Sequence, residues 1–550
     1  MLLTLSVLGT FGGLSVVLAR CMLDQSRYMA ATATTFCVTF ILCWLAWVGI
    51  VYPRFFSPLR ALPEPPHGHF FTGHTGSVLS ETSGFPQRRW TETIPNNGLI
   101  RYRHFFQEMV LLTDINTLSE VLVTKNYDFV KPKQLRRGLG QILGIGLLLS
   151  EDEEHRIQRK NLMPAFSYRH IKDLYPVFWT KAGQLGDPSG STMDVKNVPH
   201  PFDQEEPAGI DITEWLSRAT LDIIGLGGMG YDFDALHNPE NQLNRTYRGL
   251  FNPTKTVRFL QVAGLFLPSW LLRWLPLKRN EDVRKASQYI KQVCRDVIAE
   301  KRRTLSVQVQ DAGSVDIVSV GLESGCFTDE DLVNHMMTFL IAGQETTATA
   351  MIWACYAMCR YPEAQQKVRD DVRFNVPAGL HGDVTAAQID KCHYLQAFCL
   401  EVLRLWTPVS LTVRVAAHET TIGHQLIPEG TTIVIAPWAT NTLSSLWGPD
   451  SLQFKPGRWL NADGKANNKG SAESNFSFLT FLHGPRACIG QQFARAEFAC
   501  LLAAWVGSFE TTFAECCLRM KDEEVPEIKA GLTMRPQAGM WVVLRWIGEE

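Results

Sequence analysis

Cys488 lies in the run Phe481-Leu482-His483-Gly484-Pro485-Arg486-Ala487-Cys488-Ile489-Gly490, directly ahead of an alanine- and phenylalanine-rich stretch from Gln491 to Val506 that reads as a helix. At a helix N-terminus the unpaired backbone N–H groups and the positive end of the dipole favour a thiolate over a thiol. A thiolate binds metal. Its neighbours have matching tasks: Gly484 permits a tight turn, Gly490 lets a flat ligand approach the backbone, Phe481 shields the sulfur, and Arg486 can neutralise a carboxylate at the ligand's edge. A cysteine beside one glycine is more often a small buried apolar residue, and the conjunction of fixed positions sets this one apart. The chain has 13 cysteines, an odd number without any CxxC pair or zinc spacing, which suits reduced thiols in a cytosol-facing domain.

A second constellation is Ala342-Gly343-Gln344-Glu345-Thr346-Thr347. A glycine, an acid and two threonines are poor choices for the centre of a buried helix, and such local inconsistency marks functional sites. The carboxylate of Glu345 and the hydroxyl of Thr346 suit a proton relay. Two further pairs, Glu401 with Arg404 and His155 with Arg159, fall on single helix faces and by themselves are ordinary surface pairs.

The elements that must position these residues follow from cap and period signals. Thr328, with Asp331 three residues on, starts a helix that runs to Tyr361 before Pro362; its roughly 33 residues span about 50 Å. Glu401 and Arg404 sit on a helix over Tyr394 to Trp406 that stops before Pro408, and His155 and Arg159 on one near Glu154 to Leu162. Strand signals are local, at Leu99 to Tyr102, Met109 to Thr113, Thr431 to Ile435 and Met540 to Trp546. Gly138, Gly140, Gly144 and Gly146 suggest a mobile loop over the pocket. No internal repeat occurs over 67–550, which reads as one mainly α domain with a minor β component.

Ahead of that domain, Met1 to Ala19 is uncharged, and after a polar break a second uncharged run extends from Tyr28 to Tyr52. Residues 1–52 read as a membrane anchor, with a spanning helix at 29–52 and a second candidate at 1–19. Pro53, Pro58, Pro63, Pro65 and Pro66 make 53–66 a stiff hinge. Arg54 and Arg60 beyond the span place the catalytic domain in the cytosol. The net charge of −2 gives no reason to expect nucleic acid.

The pattern Phe481-x-x-Gly484-x-Arg486-x-Cys488-x-Gly490 resembles the cysteine-ligand loop of the cytochrome P-450 superfamily, in which a thiolate holds haem iron. Glu401-Val402-Leu403-Arg404 resembles that family's ExxR helix, Phe454-Lys455-Pro456-Gly457-Arg458-Trp459 the segment whose arginine completes a buried triad, and Ala342 to Thr347 the oxygen-binding groove of the central helix. The likeness covers roughly 67–550 and implies the cytochrome P-450 fold. His155-x-x-x-Arg159 is similar to the helix contacting a haem propionate, where tryptophan is commoner at the first position, and Arg414 stands where the family often has another propionate partner.

The resemblance implies haem b with Cys488 as axial iron ligand, Glu345 and Thr346 delivering protons, Gly343 leaving space for O2, and one oxygen atom inserted into an apolar small molecule. Electrons would come from NADPH through a separate flavoprotein reductase, with the anchor in endoplasmic reticulum lipid. Anchor style, the HxxxR variant and the insert at 461–474 look similar to filamentous-fungal members acting on terpenoids or polyketides. Glu345 and Thr346 count against a haem-thiolate isomerase or dehydratase and against a non-enzymatic haem sensor or electron carrier, the two alternatives.

Overall fold

The structure is a computed structural model that describes residues 25–186, 209–251, 278–307, 316–377, 384–521, 526–529, 531 and 533–547. The run Met1 to Ala19 lies outside them. Helix α1 (Gln25–Ala46) continues into wider turns over Trp47–Phe56 that contain Pro53. Thr32–Phe56 is long and apolar enough to cross a membrane, reaching past the expected end at Tyr52. The end of this span and the proline-rich stretch after it are tied to the domain. On strand β1 (Leu99–His104), Arg101 Nη1 donates to Pro53 O at 3.1 Å, Arg103 Nη1 to Gly49 O at 3.2 Å, and Arg101 pairs with Glu64 at 2.9 Å.

β1 opens a five-stranded sheet with β2 (Gln107–Leu112), β3 (Phe129–Val130), β4 (Thr412–Ala416) and β5 (Thr432–Ile435), in the order β1-β2-β5-β4-β3. β2 and β5 run parallel, with Val110 opposite Ile433; the other pairs are antiparallel. Phe129 faces Ala416 and Val130 faces Val415, which brings Lys131, the next residue, level with Arg414. A second sheet orders Ile210–Asp211, Trp541–Trp546 and Phe509–Phe513.

The larger part is helical. α2 (Lys133–Leu143), α3 (Asp152–Leu162) and α4 (Ile212–Ile223) precede the central α5 (Asp329–Arg360), followed by α6 (His393–Leu405) and α7 (Gln491–Ser508). α5 starts in a capping box: the Thr328 hydroxyl accepts from the Asp331 N–H and the Asp331 carboxylate accepts from the Thr328 N–H. From Thr347 to Cys359 every residue of α5 is buried, as expected for a helix enclosed on all sides. Trp353 stacks on Trp406 beyond α6 with ring centroids 5.6 Å apart.

The glycines before His155 form no free loop. Gly138 and Gly140 lie inside α2, and Gly144 ends it at φ +74°. A Cβ on Gly146 would lie 2.6 Å from Asn334 O of α5. Gly146 serves close backbone approach and Gly144 a helix end at positive φ, uses that composition does not separate from mobility. The apolar run from Leu260 to Leu275, whose sequence suits either a dip into the bilayer surface or a core helix pair, lies outside the described residues.

Candidate active site

The Cys488 loop is closed by its own backbone: the Cys488 N–H donates to Phe481 O at 2.9 Å and the Ala487 N–H to Gly484 O at 3.0 Å. Gly484 has φ +80°, and a Cβ there would stand 2.1 Å from Leu122 O, so only glycine fits. Gly490, just before α7, has only Phe166 near a notional Cβ, at 3.7 Å. The Cys488 side chain is exposed to a water-sized probe, yet burial among surrounding protein atoms pushes its thiol up. Both statements hold for a sulfur facing an internal cavity. The Gly490 N–H and the Arg159 charge act the other way and favour the thiolate.

Beside this sulfur lies a cluster of cations. Arg486 donates to Asn126 O at 2.8 Å and Phe129 O at 2.7 Å and forms an ion pair with Glu151. Lys131 donates its N–H to Glu151 Oε1 at 2.8 Å and its ammonium to Ser150 O at 2.9 Å. Arg159 Nη1 donates to Ala487 O at 2.8 Å, and Arg414 Nη1 to Val413 O at 2.9 Å. His155 is buried on α3, one turn from Arg159. Burial pushes Arg414 down to about 10, helped by the charge of Arg486, and Lys131 down to about 8 against the pull of Glu151. His155 falls to about 4 through burial and the charges of Lys131, Arg486 and Arg159.

The three cations Lys131, Arg414 and Arg486 thus share one carboxylate, Glu151, with Arg159 beside Cys488 as a fourth positive charge, and Arg486 Nε has no partner among the described residues. Buried positive charge of this kind is stable only with further anions. Two carboxylates at the edge of a flat group whose metal takes the Cys488 thiolate would balance it, and haem b carries both. The residues fit that group.

Glu151 and Lys131 were not legible as site residues. Glu151 precedes Asp152, Glu153 and Glu154, which read as dipole-complementing acids of a helix start, whereas Asp152 at φ +50° separates Glu151 from the exposed run. Lys131 is brought in by strand register alone.

The central α5 is buried before and after one gap, where Ala342 is exposed and Gly343, Glu345 and Thr346 are half-buried. The Thr346 hydroxyl donates to Ala342 O at 2.7 Å, and Thr347 turns away to donate to Glu497 Oε2 on α7 at 3.0 Å. Glu345 Oε1 pairs with Arg535 at 2.9 Å and accepts from the Thr533 hydroxyl at 3.0 Å. Gly343 has a packing reason to be glycine: a Cβ would lie 2.8 Å from Ile224 Cγ1.

Glu401, Arg404 and Arg458 meet in the interior. Arg404 Nε donates to Glu401 Oε2 and Nη2 to Oε1, both at 2.8 Å, while Arg458 Nε donates to Oε1 at 2.9 Å. The carboxylate also accepts from Trp459 Nε1 and the Lys455 N–H, each at 2.9 Å. Arg404 Nη1 reaches Asn441 O at 2.9 Å and Ser451 O at 2.6 Å, tying α6 to the short helix Pro437–Thr442, whose Asn441 Oδ1 accepts from the Leu479 N–H ahead of the cysteine loop, and to the turn at Ser451.

Residues 63–543 match the family model described as Cytochrome P-450, and the chain belongs to that family. Among curated proteins it is 43% identical over 499 residues to Cytochrome P-450 monooxygenase sphH of Aspergillus fumigatus, covering 89% of each chain. It is 40% identical over 592 residues to Cytochrome P-450 monooxygenase FUM15 of Gibberella moniliformis, covering 99% of this chain and 98% of that one. Cytochrome P-450 monooxygenase ALT8 of Alternaria alternata is 39% identical over 557 residues, 92% of each. The protein is a haem-thiolate monooxygenase that takes O2, a small-molecule substrate and electrons from a redox partner.

Proposed function

We propose that Cys488 is the axial iron ligand, that Arg486, His155, Arg159 and Arg414 hold the haem carboxylates together with Lys131, and that Phe481 and Gly490 line the thiolate side. The single observation behind this is the exposed Cys488 sulfur beside Arg159, next to three further cations, Lys131, Arg414 and Arg486, that share the one acid Glu151. Held there, haem would supply O2 activation, with the Cys488 thiolate favouring O–O cleavage.

The chain's own groups do the rest. Thr346, at the open gap of α5 with its hydroxyl resting on Ala342 O, is the alcohol of the relay, and Glu345 one residue away is the acid that replenishes its proton. His155, held neutral by its surroundings, donates a ring N–H and adds no further charge. Glu401, Arg404 and Arg458 keep the cysteine segment in place through the Pro437–Thr442 helix, which holds Leu479 ahead of it.

The substrate is an apolar small molecule, of terpenoid or polyketide type by analogy with fungal relatives. The electron donor is an NADPH-dependent flavoprotein reductase. The span ending at Phe56 sits in endoplasmic reticulum lipid, with Arg54 and Arg60 setting a cytosolic catalytic domain. Asn244, whose sequon could otherwise carry sugar, is fully buried and accepts from Gln344 Nε2 at 3.0 Å, which suits a domain without glycan there.

The test is to incubate membranes carrying the chain with reductase, NADPH, an apolar metabolite extract of the host and isotopically heavy O2. A product heavier by one labelled oxygen is expected, and Thr346→Ala should consume NADPH with little product. Product formed without label would overturn the reading.

A further inference from the structure

Thr533, Met534 and Arg535 are stitched along one face of the central helix. Glu345, Thr349 and Trp353 stand at four-residue steps on α5 and so share a face. Arg535 Nη2 pairs with Glu345 Oε1 at 2.9 Å, and the Thr533 hydroxyl donates to the same oxygen at 3.0 Å. Thr349 Oγ1 donates to Thr533 Oγ1 at 3.0 Å and Trp353 Nε1 to Met534 O at 2.7 Å. On its other side the segment is held by the Met534 N–H on Pro408 O at 2.8 Å. Arg535 belongs to β7 (Arg535–Pro536), which pairs with β6 (Ile528–Lys529) as a short two-stranded ribbon.

The side chains of Glu345 and Arg535 are 17% and 19% exposed, so their attraction is weakly screened. The carboxylate assigned above to proton supply therefore has its hydrogen-bond partners on the ribbon, while the Thr346 hydroxyl is engaged with its own helix backbone. Passing a proton from Glu345 towards Thr346 requires the carboxylate to part from Arg535.

We propose that Arg535 is a positioning residue that holds Glu345 in reserve, so that proton delivery is tied to movement of the 533–535 segment when substrate fills the gap beside Ala342. The proposal rests on the relay assignment of Glu345 and Thr346. It explains why an arginine of the C-terminal ribbon, far along the chain from the cysteine loop, reaches an acid in the middle of α5.

The experiment compares wild type, Arg535→Gln, Glu345→Gln and the double variant, each with reductase and no substrate. Wasteful turnover converts one NADPH, one proton and one O2 into NADP+ and hydrogen peroxide. Arg535→Gln should raise that leak several-fold, Arg535→Lys should keep it near the wild-type level, and the double variant should fall back to the level of Glu345→Gln alone. Thermal unfolding of the same four proteins should be non-additive, because the pair exists only when both partners do.

An unchanged leak in Arg535→Gln would overturn the proposal, as would a raised leak that persists in the Glu345→Gln background, since a purely structural role of Arg535 would act through any residue. If Arg535→Gln does not fold, Thr533→Val removes the other hold on Glu345 Oε1 and should give a smaller rise with the same dependence on Glu345. Failure of the relay assignment is seen separately, in turnover with the metabolite extract and heavy O2: Glu345→Gln alone would then couple NADPH to product as the wild type does. Failure of the haem-thiolate reading would appear in the carbon monoxide spectrum of every variant.

Discussion

Glu151 and Arg486, 335 positions apart in the chain, meet as an ion pair whose side chains are only 5% and 3% exposed. Arg486 is two residues before Cys488, and the same carboxylate also accepts the Lys131 N–H at 2.8 Å. One acid therefore joins the cysteine loop, the start of α3 and the edge strand β3.

Glu151→Ala should destabilise the haem-loaded protein by about 3–5 kcal/mol, because removing one member of a buried pair leaves the other charge uncompensated. Urea unfolding measures the loss, and transfer of haem to an apoglobin acceptor should be faster than in wild type. Glu151→Gln keeps an acceptor for Lys131 and should cost less on both measures. Equal behaviour of Glu151→Ala and wild type would show that the pair does not organise the site.

Glu401 is fully buried and receives five hydrogen bonds from Arg404, Arg458, Trp459 and the Lys455 backbone. Trp459→Phe keeps the ring and removes one donor, which should cost about 1–2 kcal/mol. Arg458→Ala strips a charge from an enclosed carboxylate and should cost about 3–5 kcal/mol. The order of the two midpoints in chemical denaturation checks the assignment.

Gly343→Ala would press a methyl group against Ile224, at 2.8 Å from its Cγ1. Overpacking of this kind costs about 1–3 kcal/mol. Ile224→Val, which trims the opposing side chain, should recover part of the loss in the double variant. If Ile224→Val gives no recovery, the glycine is required for another reason, such as room for O2.

His335 is buried on α5, with Nδ1 accepting the Leu147 N–H at 3.2 Å, and burial pushes its imidazole down to about 4. The unfolded chain takes up the proton near pH 6.5 and the folded one only near 4, so between these values the unfolded state binds more protons and stability rises with pH. The contribution of neutral His335 is complete above about pH 6.5 and should be smaller by about 2 kcal/mol at pH 5. His335→Gln, which retains an acceptor without a titrating ring, should show a smaller drop in Tm between pH 7 and pH 5 than wild type.

Much of this was legible in the sequence, for reasons that differ by residue. The central helix shows because its cap, its period and the proline after Tyr361 are all local signals. Cys488, Gly484 and Arg486 show because a turn, a thiolate and a cation fall within a few positions. Lys131 and Glu151 do not, since register or a distant loop brings them to their partners. Glu345 and Thr346 show together as an acid and an alcohol within one poor helix-forming run, whereas Arg535, the partner of Glu345, is invisible to any local pattern.

The most direct measurement of the central assignment is the absorption spectrum of the reduced, carbon monoxide-bound protein in wild type, Cys488→Ala and Cys500→Ala. With Cys488 as iron ligand, wild type and Cys500→Ala give the strongly red-shifted Soret band of a thiolate-ligated haem and Cys488→Ala does not. A histidine-type band in wild type, or a red-shifted band that survives Cys488→Ala, would contradict it.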